Sequence, residues 1–112
     1  MVISTKIEED MLILGLLGDI DVEGREYLAN ELDDLLSKTK YKKCVIDFYG
    51  VNYIGSIGIG TILSIYRNFT AFGGKLCFIK VSSDIKKIFQ ITQLDTILPI
   101  FDDLESAKSY LN

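Results

Sequence analysis

Histidine and tryptophan are absent from the 112 residues, and proline occurs once. Without an imidazole the chain cannot assemble a Ser-His-Asp or Cys-His nucleophile, and the usual zinc ligand sets disappear with it. Cysteine is scarce: Cys44 and Cys77 are the two present, each inside a run that reads as a strand. Two buried free thiols are therefore expected, with no disulfide and no metal. There is no surplus of positive charge either, since 12 basic residues stand against 16 acidic ones for a net charge of -4. Nucleic acid is disfavoured as the main partner, because binding a phosphate backbone calls for a positive face. No apolar run approaches the length of a membrane span. The opening Met1-Val2-Ile3-Ser4-Thr5-Lys6 lacks the basic segment and apolar core of a secretion signal. The expectation is a cytoplasmic protein with no membrane partner and no cofactor.

What is present is apolar residue in quantity, 48% of the chain, which suits one domain with a single core and excludes disorder. Its organising stretch is Tyr53-Ile54-Gly55-Ser56-Ile57-Gly58-Ile59-Gly60, followed by Thr61-Ile62-Leu63-Ser64-Ile65-Tyr66. Just upstream, Cys44-Val45-Ile46-Asp47-Phe48 is short and rich in β-branched and aromatic side chains, as a buried strand is. Ile59, Ile62, Leu63 and Tyr66 then recur at helical spacing, which predicts a helix from near Ile57 to about Ala71. Ser56 stands where that helix should start, so its hydroxyl is expected to act as the N-cap. The same point favours an anion, because free N–H groups and the positive end of the helix dipole lie there. A phosphate on Ser56 would meet suitable electrostatics without a separate basic pocket.

Around this centre the chain alternates. Ile3, Thr5 and Ile7 mark an edge strand, and Met11–Leu17 a more buried one. The three-residue connection Glu8-Glu9-Asp10 predicts an antiparallel hairpin. After Gly18-Asp19-Ile20, Asp21 is a plausible N-cap for a helix turning Val22, Leu28, Leu32, Leu35 and Leu36 inward. Thr39-Lys40-Tyr41-Lys42-Lys43 reads as a solvated basic connection. Asp47 should hold the turn after its strand through backbone N–H groups. Phe72-Gly73-Gly74 ends the central helix, and Lys75–Val81 is the next strand. Ser82-Ser83-Asp84 caps a helix presenting Ile85, Ile88, Phe89 and Ile91. Ile97–Ile100 is a last edge strand marked by Pro99, and a helix with Leu104, Ala107, Tyr110 and Leu111 on its inner side closes the chain. Strand–helix alternation from residue 11 onward predicts an α/β domain with a mostly parallel sheet and right-handed crossovers.

Enzyme motifs fail on inspection. Ile54 occupies the first glycine position of G-x-S-x-G, and Leu63 stands where the third glycine of G-x-G-x-x-G belongs. A non-enzymatic role is expected. Gly58 and Gly60 would let backbone come close to a partner or to a packed neighbour.

In order and spacing, several stretches together resemble the STAS domain, and more narrowly the free-standing anti-sigma-factor antagonists of bacteria. They are Gly18-Asp19-Ile20-Asp21, Asp47 to Ile54 leading into Ser56, Gly58 and Gly60 behind it, Gly73-Gly74-Lys75-Leu76, and Lys86 to Leu94. The resemblance runs almost end to end. It implies a STAS-like βα superhelix: one α/β domain over residues 1–112, with a mixed, mostly parallel sheet of about five strands and about four helices. It also implies an antagonist that binds an anti-sigma factor serine kinase and so releases a sigma factor. Phosphorylation at Ser56 would end that binding, and a serine phosphatase would reverse it. Asp21, Gly55, Ser56, Ile57, Gly58 and Ile59 would form the partner-binding surface, with Tyr53 beside them. Where the family usually carries aspartate before the serine and serine or threonine after it, this chain has Gly55 and Ile57. The other reading is a STAS interaction module that is not phosphorylated and serves another signalling or lipid-transport assembly.

Overall fold

A computed structural model describes all 112 residues. Five strands form one sheet in the order β1-β2-β3-β4-β5, namely β1 (Val2–Glu8), β2 (Met11–Leu17), β3 (Lys43–Gly50), β4 (Lys75–Ile79) and β5 (Ile100–Phe101). The first pair is antiparallel and the other three pairs are parallel. The hairpin is tighter than expected. Glu8 already pairs with Met11, so only Glu9 and Asp10 turn the chain, and Glu9 takes a left-handed φ of 57° to do it.

Helix α1 (Val22–Tyr27) continues through a wider π-type turn at Leu28–Leu32 into α2 (Asp33–Lys38). The sequence explains the widening. Leu28, Leu32 and Leu36 are all buried at a strict spacing of four, which drifts about 40° per step on a 3.6-residue turn. A wider turn takes up part of that drift and keeps all three on the sheet. The remaining helices are α3 (Ser56–Ala71), α4 (Ser83–Ile91) and α5 (Leu104–Leu111).

These helices divide between the two sheet faces. The larger core joins Leu12, Leu14, Ile46 and Phe48 of the sheet to Leu28 and Leu32, to Ile62 and Ile65, and to Ile85 and Phe89. On the other face α5 alone covers Met11, Val45, Cys77 and Ile79 with Ala107 and Leu111. An ion pair of 3.0 Å from Lys108 to Glu8 ties α5 to the outer strand. The hydrogen bond between them lowers the Glu8 carboxyl and raises the Lys108 ammonium from their ordinary values.

Several expectations need correction. Val22 is 60% exposed and Ile91 is 82% exposed; each lies at a helix end, beyond the sheet that would bury it. The segment Ile97–Ile100 contributes little strand. Leu98 is drawn into the core with its N–H on the Leu94 carbonyl, which leaves only Ile100 and Phe101 to pair with β4. Strand β4 stops at Ile79 because Lys80 turns to a left-handed φ of 56°. Tyr110 is mostly outside the core, stacked on Phe101 at 5.2 Å.

Cys44 and Cys77 are free and buried, as expected, and they point to opposite faces of the sheet. Neighbouring strands with thiols on opposite sides cannot close a disulfide without backbone movement. Burial pushes the Cys44 thiol far up and the Cys77 thiol up to about 12. Native protein at pH 8 should therefore give almost no reaction with a thiol-specific disulfide reagent, and denaturant should release both thiols together. Rapid labelling of one thiol in the folded chain would contradict this packing.

Candidate functional site

The C-terminal ends of β2 and β3 lead into loops that are stitched together by backbone. Gly18 N–H donates to Gly50 O at 3.0 Å, and Ile20 N–H donates to Tyr53 O at 2.8 Å. Gly55 N–H then donates to Ile20 O at 2.9 Å, so residues 20 and 54 form a parallel bridge outside the main sheet. This bridge sets the loop before α1 beside the start of α3. Asp47 contributes as expected, its Oδ1 accepting from Tyr49 N–H at 2.8 Å to fix the first turn after β3.

The bridge also overturns the assignment of Ser56 as N-cap. Gly55 is the cap: its backbone is extended, with φ -86° and ψ 169°, and its carbonyl accepts from Ile59 N–H at 3.0 Å. Ser56 is the first helical residue, exposed to solvent, and its hydroxyl makes no hydrogen bond within the chain. Glycine offers no side-chain cap, so the N–H groups of Ser56, Ile57 and Gly58 find no acceptor in the protein. These unpaired donors and the helix dipole make the first turn of α3 electropositive. Nothing in the backbone demands glycine at position 55. Its φ is ordinary, and a Cβ there would touch Tyr53 Oη at 3.4 Å, an acceptable contact.

Of the other residues expected at this surface, Asp21 is held where a partner could meet it. It caps α1 by accepting from Gly24 N–H at 2.8 Å and stays exposed. With Asp19 and Glu23 it lines an acidic cleft of about 380 Å³ that also includes Met1, Gly24 and Tyr27. Ile57 is 52% exposed and Tyr53 53% exposed, while Ile59 is half-buried against the core. Gly58 does not belong to the surface. It is buried, and a Cβ there would lie 2.5 Å from Ile20 Cγ2, so its role is to let α3 pack against the Ile20 loop. Gly60 has open space around it and needs no close approach. Val22, which the helical pattern had turned inward, adds an exposed apolar side chain next to Asp21. Its position at the helix start was the available clue.

The family model of the STAS domain matches residues 2–107. The chain belongs to the STAS domain family. Among its relatives, an anti-sigma factor antagonist of Thermotoga neapolitana, by its given name, is 26% identical over 102 residues, covering 91% of this chain and 90% of that protein. The crystal structure of an anti-sigma factor antagonist from Thermotoga maritima superposes with a TM-score of 0.89 at 24% identity, covering 97% of this chain and 93% of that one. The Bacillus cell fate determinant SpoIIAA in its phosphorylated form gives a TM-score of 0.73 at 18% identity, covering 99% of this chain and all of that one. These superpositions establish the STAS fold. No helix of this STAS domain is long and apolar enough to cross a membrane.

Because Asp21 is both a helix cap and an exposed charge, its two contributions can be separated by substitution. Asp21→Ala should lower stability by about 1 kcal/mol, the usual cost of a lost cap, and Asp21→Asn by only a few tenths. Urea unfolding of the two variants checks this. Equal losses would mean that the bond to Gly24 N–H contributes nothing.

Proposed function

We propose that this STAS domain is an anti-sigma factor antagonist that binds an anti-sigma factor serine kinase, releases the sigma factor held by it, and is switched by phosphorylation at Ser56. A serine phosphatase would restore the binding form. The observation that carries the reading is the position of Ser56. Its hydroxyl is exposed and unbonded on the first turn of α3, next to the Asp21 loop and between exposed Tyr53 and Ile57. A phosphate there would be tolerated by the domain, since three N–H groups of that turn lack acceptors and the helix dipole favours negative charge. At an interface the same two charges bring repulsion and desolvation, which weaken the complex. The names of the relatives support an antagonist role.

The test uses the wild-type chain, Ser56→Ala and Ser56→Asp with an anti-sigma factor kinase encoded near it. Wild type should gain one phosphate by intact mass in the presence of ATP, and Ser56→Ala none. Ser56→Ala should keep its affinity for the kinase. Ser56→Asp should lose at least tenfold, about 1.4 kcal/mol, while its unfolding midpoint holds or rises, because a carboxylate suits that helix position. Unchanged binding by both variants would remove the switch. One observation favours the second reading: Ser56 is flanked by Gly55 and Ile57, with neither an acidic nor a hydroxyl neighbour. On that reading the domain is a binding module of another signalling or lipid-transport assembly, and no phosphate is added.

A further inference from the structure

Arg25 is the one basic side chain of α1, and the chain gives it no anion. It is half-buried and belongs to none of the ion pairs. Its Nε is sealed from solvent and meets no acceptor. A donor shut away without a partner is costly and calls for a reason.

The fold sets this arginine beside the start of α3. Helices α1–α2 and α3 leave the C-terminal ends of the parallel strands β2 and β3, so they run side by side in one direction. Helices α1 and α3 are in contact. Gly24, Leu28, Leu32 and Leu36 form the buried line on the sheet, and Arg25, Ala29, Asp33 and Ser37 form the flank next to it. Asp33 and Ser37 share a cleft with Ile65 and Asn68 of α3, so this is the flank turned toward α3. Arg25 and Ala29, both half-buried, continue it toward the helix start. Arg25 precedes Ser37 by as many positions as Ser56 precedes Asn68, which brings it level with the first turn of α3. Ile57 and Thr61, in line with Asn68 on the helix, stand across from it. Helical side chains lean toward the N-terminus of their own helix, which carries the guanidinium toward Ser56.

No carboxylate on the facing helix takes the guanidinium. Ser56–Ala71 contains no acidic residue, and the residue before Ser56 is Gly55. On α1 itself, Asp21 is engaged by Gly24 N–H at 2.8 Å, and with Glu23 it lines the cleft on the opposite flank. Glu26 is exposed and adjacent in sequence, and adjacent residues of a helix do not face each other. The groups that do share the space with Arg25 are the first N–H groups of α3, which are donors as well.

From this we infer that Arg25 is the chain's own counter-charge for a phosphoryl group on Ser56, pairing with its oxygens from the side while the first turn of α3 donates from below. Turning the guanidinium fork onto a phosphate would give Nε–H its missing acceptor, and such pairs are among the stronger hydrogen-bonded contacts. The inference rests on the reading of Ser56 as the modified residue and adds the side chain that holds the modification. The test uses the full chain with phosphoserine inserted at position 56 during translation, so no kinase is needed. In the wild-type background the Arg25 Nε–H NMR signal should move downfield when position 56 carries phosphate. Phosphorus NMR should find the second ionisation of the phosphate, ordinarily near pH 6, lower in the folded chain than in urea. Arg25→Gln should raise it by about 0.3 pH unit or more, and Arg25→Lys should recover part of that shift. Unchanged amide signals from β2 and β3 would verify that the variants fold. An Nε–H signal that ignores the phosphate, or the same ionisation in wild type and Arg25→Gln, would overturn the proposal. Failure of a kinase to modify Ser56 would remove the switch and leave this result standing, so the two readings fail separately.

Discussion

Phe48→Ala is expected to remove about 4 kcal/mol of folding stability, within the range of 3–5 kcal/mol for deleting a buried phenylalanine. Phe48 is fully buried on the central strand β3, at the meeting point of sheet and helices. Its ring meets the edge of Phe78 on β4 at 5.7 Å and 90°, and Phe89 of α4 at 6.5 Å. Three aromatic rings from three elements leave little freedom for collapse around the hole, so the cavity should persist and the cost should not fall to the transfer contribution alone. A domain of this size has roughly 5–15 kcal/mol in total, and the unfolding temperature should drop by roughly 15 °C or more. Urea and thermal unfolding, with Tyr49→Ala as the exposed neighbour control, provide the check. A loss below about 1.5 kcal/mol would show that the ring cluster is not the keystone of the larger core.

The same cluster shows why much of the fold was legible. Cys44–Phe48 is a buried strand by composition, and there local pattern and tertiary burial agree. The helical repeat of Ile59, Ile62, Leu63 and Tyr66 finds the right face of α3 but not its centre, since Ile62, Ile65 and Phe69 are the buried line and the other three are only partly covered. The order of elements then restricts the sheet to a mostly parallel arrangement. Where local pattern and long-range pairing disagree, the pairing decides the structure. Ser56 is a good cap residue by type, but the bridge between Ile20 and Ile54 draws Gly55 into the capping position. That contact joins residues far apart in sequence, and no window around Ser56 contains it. Val22 and Ile91 fit the apolar stripes of their helices and fail because each stripe outruns the core. Pro99 signalled an edge correctly. Only the path of Leu98 into the core, set by the turn at Leu94–Thr96, shortened the strand behind it.

The candidate surface followed the same division. Exposure of Ser56 and capping by Asp21 are local properties, and both were readable. The burial of Gly58 was not, since a glycine one turn into a helix carries no mark of what lies against it. Its neighbours decide the matter, and they differ sharply from those of Gly60 two residues on.

Gly58→Val should therefore cost about 2–3 kcal/mol, at the upper end for overpacking. The first added carbon would fall 2.5 Å from Ile20 Cγ2, 2.9 Å from Ile20 O and 3.1 Å from Ile54 Cγ1. A side-chain methyl can rotate away, but the Ile20 carbonyl cannot, because it already accepts from Gly55 N–H at 2.9 Å. The loop and the helix start must separate, and the bridge that sets Asp21 beside Ser56 is the structure that gives way. Gly60→Ala has the opposite sign: nothing lies within 4 Å of its added carbon, and replacing glycine inside a helix should gain about 0.5–1 kcal/mol. Measured together by urea unfolding, the two variants separate helix propensity from packing, since propensity alone would never make Gly58→Val the worse by several kcal/mol. Amide signals of Ile20, Asp21 and Gly55 should move in Gly58→Val and stay in place in Gly60→Ala. If Gly58→Val left those three signals and the stability intact, α3 would not be held by the Ile20 loop, and the adjacency of Asp21 and Ser56 would need another cause.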